Sequence, residues 1–242
     1  MFDKAIKYSY AAQKRERYKL IKAILAILTM FLLFTVVSTY FYSAWVLHNE
    51  TMQPTLHSGD RFIIVSSALP SLFAKMKQSD GASQFRRGNL VLLDTSRKEN
   101  RSMFLTAADN FVRFFSAQKL SIFPASEHLY LKRLAGLPGD EITMINFTLR
   151  VRPEGELYAL TEFELAERPY YPNIPQIPAI WDGSLPFSGT MERRILGPDE
   201  YFIISDDRGS TGDSRTWGPV SAKEIIGKPV FRYWPFTRIG RP

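Results

Sequence analysis

The hydrophobic pattern begins with one long apolar segment near the start of the chain. Residues Ala23–Leu47 contain no charged side chain. A membrane-spanning helix needs roughly 20 apolar residues, whereas the apolar part of a cleaved signal peptide has only about 7–15. Tyr40, Tyr42 and Trp45 lie near the end of the segment, and aromatic rings favour the membrane–water interface. The pattern therefore predicts one uncleaved transmembrane helix.

Short stretches rich in β-branched and aromatic residues follow, with Gly, Pro and Asp between them. They are Asp60–Ser67, Asn89–Asp94, Leu129–Gly136, Glu141–Val151, Glu200–Ser205 and Lys228–Pro235. Within Glu141–Val151 the pattern predicts a hairpin that turns near Asn146 and Phe147. The predicted fold is an N-terminal transmembrane helix followed by a mainly-β domain with loop and helical insertions.

Three stretches interrupt the strand pattern. Residues 68–87 are polar and predict a loop, and residues 153–194 are Pro-rich and predict an irregular insertion over one face. In residues 97–125, Phe side chains recur at nearly helical spacing. They are Phe104, Phe111, Phe114 and Phe115. Either this helix packs on the β domain or its aromatic face enters the membrane surface.

The positive charge of the chain is concentrated near the N-terminus. The chain carries a formal net charge of +7. Much of the excess precedes the apolar segment, as Lys4, Lys7, Lys14, Arg15, Arg17, Lys19 and Lys22. This favours a membrane-flanking basic segment over nucleic-acid binding. We expect a cytoplasmic segment over residues 1–22, an anchor over 23–47 in contact with the lipid bilayer, and an extracytoplasmic domain over 48–242.

The amino-acid composition excludes several kinds of catalytic and metal-binding site. The chain has no Cys and three His, namely His48, His57 and His128. Disulfides, thiol catalysis and cysteine-ligated zinc are therefore excluded, and the histidines do not have the spacing of a metal site. We expect no metal and no cofactor.

Lys132 is the first candidate for chemistry. It lies among the apolar residues Leu129, Leu131 and Leu134 of a predicted strand. Burial lowers the pKa of a lysine, and a neutral lysine can act as a general base. The alternative is a lysine whose stem packs on the sheet while its charged end reaches solvent.

The second candidate is the stretch Ser205–Gly218, which directly follows a predicted strand and is dense in Asp, Ser, Gly and Arg. Asp213 can pair with Arg215, and Asp206 with Arg208. The alternative is a solvated turn whose surface ion pairs contribute little. The carboxylate spacing does not match an EF-hand calcium loop.

Three motifs together resemble those of bacterial type I signal peptidases, which are membrane-bound serine peptidases with a Ser–Lys dyad. The family's "SMxPTL" turn corresponds to Thr51–Leu56, its "KRxxGLPGD" to Lys132–Asp140, and its "GDNRxxSxDSRxxG" to Ser205–Gly218. Their order and spacing agree. The resemblance covers the anchor and about half of the remaining chain, and the three insertions fall outside it.

The resemblance implies an endopeptidase that removes signal peptides from exported preproteins at the outer face of the bacterial inner membrane. Thr51 would be the nucleophile and Lys132 the general base. Asn49 would supply an oxyanion donor, and a Ser–Lys mechanism proceeds through an acyl-enzyme. The supporting residues would be Thr211, Asp213 and Arg215, and substrate would be bound by Met52, Tyr130 and Leu131.

The chain departs from the family's motifs at several of these positions. Thr51 replaces the family's nucleophilic Ser, and Asn49 replaces the Ser that helps to form the oxyanion hole. Thr211 stands where the family has the Ser that bonds to the lysine. Ser205 and Asp207 replace a Gly and an Asn. Each chemical position keeps a hydroxyl or a donor, which favours an active peptidase.

Two alternatives remain. The chain can be a catalytically silent, membrane-anchored homologue that binds extended peptides or assists an active peptidase. It can also be a pilin- or conjugation-type peptidase with one dedicated substrate. N-x-Ser/Thr triplets at Asn49, Asn100 and Asn146 are consistent with chance occurrence, since such triplets are short and Asn49 lies within the proposed site.

Overall fold

The computed structural model describes residues 10–40, 42–66, 85–95, 108, 111–112, 129–176 and 189–242. The chain divides into two compact units. The first consists of residues 1–40 and 98–126, and the second of residues 41–97 and 127–242.

Most of the described part of the first unit is helix α1, Tyr10–Tyr40. The helix ends at Tyr40, whereas the predicted anchor runs on to Leu47. Across the described residues, no helix has an apolar stretch long enough to cross a bilayer. Phe111 packs edge-to-face on Phe31, with ring centroids 5.9 Å apart. The predicted helix over 97–125 lies mostly outside the described residues.

The second unit is mainly β, as predicted. Its strands are β1 Tyr42–Val46, β2 Arg61–Ser66, β3 Leu90–Asp94, β4 Leu129–Gly136, β5 Glu141–Ile145, β6 Thr148–Arg152, β7 Leu160–Thr161, β8 Met191–Ile195, β9 Phe202–Ile204 and β10 Ile225–Trp234. Short helices occur at Glu162–Leu165 (α2) and Ser214–Trp217 (α3), with a 3-10 turn at Phe236–Arg238.

The strands form two antiparallel sheets. The larger has six strands in the order β1-β2-β10-β3-β4-β9, and the smaller has the order β7-β6-β5-β8. The hairpin predicted near Asn146 and Phe147 is the β5–β6 connection. Both residues have positive φ, 50° and 61°, which a two-residue turn of the type that matches strand twist requires.

Strand β1 was missed by the sequence pattern, which placed its residues in the anchor. In the structure, β1 pairs antiparallel with β2, so that Trp45 lies opposite Phe62. A short apolar run fits a helix and a buried strand equally well, and the partner strand decides between them. Strands β7 and β8 were also missed, because they lie in or beside the Pro-rich insertion.

The core beneath the larger sheet includes side chains from the turn between β1 and β2. Met52 and Leu56 pack with Phe62 and Leu131 in one buried cluster. All of these side chains are fully buried. Burying an apolar side chain of this size contributes about 1.5–3 kcal/mol. The turn that carries Thr51 is therefore fixed to the sheet by its own apolar residues.

Candidate active site

The turn between β1 and β2 is closed by backbone bonds at its base and by one buried carboxylate. The Leu47 N–H donates to the Asp60 carbonyl at 2.9 Å, and the Gly59 N–H donates to the Leu47 carbonyl at 2.8 Å. The Asp60 carboxylate, which is 1% exposed, accepts from Arg238 at 2.9 Å and from Arg232 at 3.3 Å. These contacts fix the turn against the end of β10.

Lys132 of β4 points to this turn. Its Nζ donates to Thr51 Oγ1 at 3.0 Å and to Ser205 Oγ at 2.8 Å. The lysine is fully buried, so the alternative of a side chain that extends to solvent is excluded. The ring of Trp217 lies beside it, with its centroid 5.9 Å from Nζ.

Thr51 has a second hydroxyl contact. Its Oγ1 donates to Asn49 Oδ1 at 3.1 Å. Rotating the Asn49 amide by half a turn exchanges this acceptor for an NH₂ donor at the same place. The arrangement can therefore hold the hydroxyl before a reaction and donate to a developing oxyanion during it.

The environment of Lys132 brings its pKa closer to neutral pH. Burial lowers the pKa of Lys132 from its ordinary value of 10.5 to about 8. The Asp213 carboxylate opposes this shift, the Arg215 guanidinium adds to it, and Asp206 and Asp207 oppose it more weakly. Arg133, the neighbour in sequence, points elsewhere, to Asp206 and the Gly88 carbonyl.

Asp213 and Arg215 form the predicted ion pair, with Arg215 Nη2 2.9 Å from Asp213 Oδ2. Both side chains are largely buried, with Arg215 8% and Asp213 0% exposed, so the pair is not a surface pair. Burial alone raises the pKa of Asp213, but the hydrogen bonds and charge of Arg215 bring it below its ordinary value. The same carboxylate accepts from the Ser205 N–H at 2.9 Å.

The predicted Asp206–Arg208 pair is wrong. Asp206 instead accepts two bonds from Arg133, at 2.6 and 2.5 Å, and Arg208 donates to Glu162 at 2.6 Å. The chain bends at Asp206 and turns at Arg208 and Gly209, so the two side chains reach different parts of the protein, and that of Arg208 reaches the insertion. Glu162 lies in the 153–194 insertion, and no motif in the sequence identified it.

Thr211 does not occupy the predicted place. It is exposed, and the Lys132 amine bonds to Ser205 instead. Ser205 directly follows β9, which pairs with β4, and its side chain therefore lies beside Lys132. Thr211 lies beyond the next turn of the loop. The sequence signal for Ser205 was its replacement of a Gly within the motif.

The predicted substrate-binding residues separate into two groups. Met52 and Leu131 are fully buried in the core, so their side chains do not face an open surface, and their role in substrate binding stays a prediction. Tyr130 is half-buried. Its ring packs edge-to-face on Trp217, with centroids 5.1 Å apart, beside the Lys132 amine.

One further residue from the insertion reaches the site. The Asn173 N–H donates to the Asp206 carbonyl at 2.9 Å, and the Asn173 carbonyl accepts from the Arg208 N–H at 2.9 Å. Asn173 Nδ2 also donates to Asp207 Oδ1 at 3.0 Å. The Asp207 N–H in turn donates to the Thr51 carbonyl at 3.0 Å. The insertion is thus hydrogen-bonded to the loop that holds the Thr51 turn.

The chemistry of this arrangement is acid–base and nucleophilic. It brings a partly exposed hydroxyl against a buried amine whose pKa is lowered, as nucleophile activation requires. Among the described residues, no group of His, Asp and Glu has a metal-binding arrangement.

Comparison with known proteins gives the family. The model of the family described as "Signal peptidase, peptidase S26" matches residues 20–234. Signal peptidase I of Bacillus caldolyticus is 27% identical over 203 residues, which cover 82% of this chain and 83% of that protein. Signal peptidase I P of Bacillus subtilis subsp. natto is 26% identical over 240 residues, covering 99% and 98%. Signal peptidase IB of Staphylococcus aureus is 21% identical over 221 residues, covering 90% and 92%. Because the family model spans most of its length, the chain belongs to the signal peptidase family, peptidase S26.

Proposed function

We propose that this chain is a signal peptidase I-like endopeptidase that removes signal peptides from exported preproteins, with Thr51 as nucleophile and Lys132 as general base. The observation that carries the proposal is the 3.0 Å contact between Lys132 Nζ and Thr51 Oγ1. It is made by a fully buried lysine whose pKa burial lowers to about 8.

The reaction begins when the Thr51 hydroxyl turns its proton from Asn49 Oδ1 to the neutral Lys132 amine, which takes that proton as Oγ1 attacks the scissile carbonyl. The tetrahedral oxyanion is stabilised by the amide of Asn49, turned to present its NH₂ group. The Lys132 ammonium then gives its proton to the leaving amine, and an ester on Thr51 remains. Water, deprotonated by Lys132, hydrolyses that ester and regenerates both groups.

Substrate binds as an extended strand. Strand β4 pairs with β3 along Leu129–Arg133, whereas β9 pairs only with residues from Arg133 onward. Among the described residues, the β9 side of Leu129–Lys132 is therefore an open backbone edge. A preprotein segment can add to this edge, next to Tyr130 and Lys132. This placement brings a scissile bond to the dyad.

Anchoring to the bacterial inner membrane is part of the proposal. Its support is the absence of charge from Ala23 to Leu47 and the basic residues that precede this segment. A basic flank stays on the cytoplasmic side. Residues 1–22 are then cytoplasmic, the apolar segment crosses the bilayer once, and residues 48–242 face outward, where a signal peptide's cleavage site emerges.

The test is cleavage of a model preprotein by the detergent-solubilised full chain, with the product identified by mass spectrometry. The variant Lys132→Ala is assayed alongside. We expect one cut after a small residue with the wild-type chain and none with the variant. Cleavage by Lys132→Ala at the wild-type rate would refute the dyad.

A second candidate function is a catalytically silent homologue that binds extended peptides. The observation in its favour is that Thr51 donates to Asn49 Oδ1 and carries a methyl group that crowds the hydroxyl. If this function is correct, the wild-type chain binds a signal-peptide segment without cutting it, and Thr51→Ser introduces cleavage.

A further inference from the structure

We propose that Ser205 is the positioning residue of the Thr51–Lys132 pair, and that its hydroxyl holds the Lys132 amine in the orientation that takes the Thr51 proton. The signal peptidase motif has Gly at this position and so has no hydroxyl there. The inference rests on the proposed function and adds to it a residue at which this chain differs from the family's motif.

The geometry singles out this hydroxyl. Ser205 Oγ lies 2.8 Å from Lys132 Nζ, closer than the 3.0 Å from Thr51 Oγ1 to the same nitrogen. Both distances are those of good hydrogen bonds. Thr211, which stands where the motif has its lysine-bonding Ser, is exposed. Ser205 therefore supplies the hydroxyl contact that the motif obtains from another position.

Burial decides between a positioning role and a nucleophilic one. Ser205 is 0% exposed, so no scissile carbonyl can approach its oxygen. Thr51 is only partly buried, so its hydroxyl is the one that a substrate can reach. The two hydroxyls that contact Lys132 thus have different roles. That of Thr51 attacks the substrate, and that of Ser205 positions the lysine.

The hydrogen-bonding capacity of a lysine explains why the second hydroxyl matters. A neutral amine has two N–H donors and one lone pair, and it rotates freely about its terminal bond. An acceptor that holds one N–H removes most of that freedom. In the structure one N–H of Lys132 donates to Ser205 and another to Thr51. With the Ser205 bond kept, rotation about that bond turns the lone pair to Thr51. Catalytic groups misplaced by about 1 Å lose about 100-fold in rate.

Ser205 is itself held on both sides. Its N–H donates to Asp213 Oδ2 at 2.9 Å, and that carboxylate is fixed by Arg215 at 2.9 Å. The residue before it, Ile204, pairs with Arg133 in the sheet. The Asp213–Arg215 pair thereby acts on Lys132 through the backbone of Ser205 as well as through charge.

The charged groups that face Lys132 are Asp213, Arg215, Asp206 and Asp207. None of them is altered when Ser205 loses its hydroxyl. A hydroxyl oxygen stabilises an ammonium more than an amine, so its removal lowers the lysine pKa. The substitution therefore has two separable effects, namely a lower pKa and a worse orientation.

The experiment compares Ser205→Ala with Ser214→Ala in the detergent-solubilised full chain. Ser214 is a matched control, since it is a buried Ser of the same loop and its Oγ accepts from the Ile203 N–H at 3.0 Å. We expect Ser205→Ala to lower kcat by about 10–100-fold, with KM within about twofold. Ser214→Ala is expected to lower the midpoint of urea unfolding without this loss of kcat.

A second readout does not depend on activity. The chain is labelled with 13Cε-lysine, and the Lys132 signal is identified by its absence in Lys132→Met. In an NMR titration, Ser205→Ala is expected to titrate about 0.5 pH unit below the wild type, and Ser214→Ala at the wild-type pH. A Lys132 pKa that does not fall in Ser205→Ala overturns the proposal, as does an unchanged kcat.

The outcomes separate this inference from the proposed function. A wild-type chain that cleaves no preprotein removes the proposed function. The NMR titration then decides alone, because a fall in the Lys132 pKa supports the Ser205 contact and an unchanged value overturns it. A wild-type chain that cleaves, with a Ser205→Ala variant of equal kcat, retains the function and removes the positioning role.

Discussion

Thr51 and Lys132 are 81 positions apart in the chain, yet the hydroxyl of one lies 3.0 Å from the amine of the other. The contact depends on packing around both residues. Met52, next to Thr51, and Leu131, next to Lys132, belong to one buried cluster. The hydrophobic core thus positions the two polar groups through their immediate neighbours.

The first prediction concerns Lys132→Met, which keeps the length of the side chain and removes the amine. Activity is expected to fall by about 10⁴-fold or more, as for other groups that act as a unit with their nucleophile. Below pH 8 the variant is expected to be more stable by roughly 1–3 kcal/mol, since it no longer buries a charge. Urea unfolding at pH 6 and preprotein cleavage measure both effects. Lys223→Met, at an exposed position, is the control, and equal activity in the two variants would contradict the role of Lys132.

The second prediction concerns the hydroxyl of Thr51. Thr51→Val replaces the hydroxyl with a methyl group of similar size, and cleavage is expected to be lost. Thr51→Ser keeps the hydroxyl and removes the methyl group that restricts it, so its kcat is expected to equal or exceed that of the wild type. Single-turnover cleavage separates the two variants. Residual cleavage by Thr51→Val would show that another group attacks the substrate.

The third prediction concerns pH. The neutral form of Lys132 is the active one, and its pKa is lowered to about 8. Because kcat/KM reports the free enzyme, it is expected to be low in acid, to rise through a midpoint near pH 8 and then to level off. Asp213→Asn removes the carboxylate that most raises this pKa, so the midpoint is expected to move to lower pH. A midpoint near the ordinary lysine value of 10.5 would contradict a buried base.

The fourth prediction concerns the buried pair of Arg133 and Asp206, which is joined by bonds of 2.6 and 2.5 Å. Arg133→Met leaves the Asp206 carboxylate buried and without its main partner, and the loss of stability is expected to be about 3–5 kcal/mol. Adding Asp206→Asn is expected to recover part of this loss, because the uncompensated charge is removed. Urea unfolding of the single and double variants makes the comparison, and additive losses would show that the two side chains are not coupled.

The alternation of apolar residues was sufficient to predict most strands and to identify Lys132. The side chain of a lysine among leucines in a strand either extends to solvent or is buried, and the local pattern does not distinguish the two. The β5–β6 hairpin was predictable because its turn is local as well. For β2, β3 and β4, short runs bounded by Gly, Pro or Asp are a sufficient signal.

The contacts between distant segments were not predictable. The partner of Asp206 is set by the pairing of β9 with β4, which no short-range pattern encodes. Lys132 contacts Ser205 instead of the predicted Thr211 for the same reason. The pairing of β9 with β4 decides which hydroxyl points to the lysine. Asn173 carried no sequence signal, because two of its three hydrogen bonds to the loop are made by backbone groups, which are the same in every residue except proline.

The backbone of Asn173 has a consequence for any attempt to shorten this protein. Its N–H and carbonyl satisfy the Asp206 carbonyl and the Arg208 N–H, and both of those residues are buried. Excision of the stretch around Asn173 would leave two main-chain groups without partners beside the dyad, at a cost of about 1–3 kcal/mol each. Although it lies outside the shared motifs, this stretch is not a detachable module. A minimal enzyme built from the motifs alone would therefore lack part of its own scaffold.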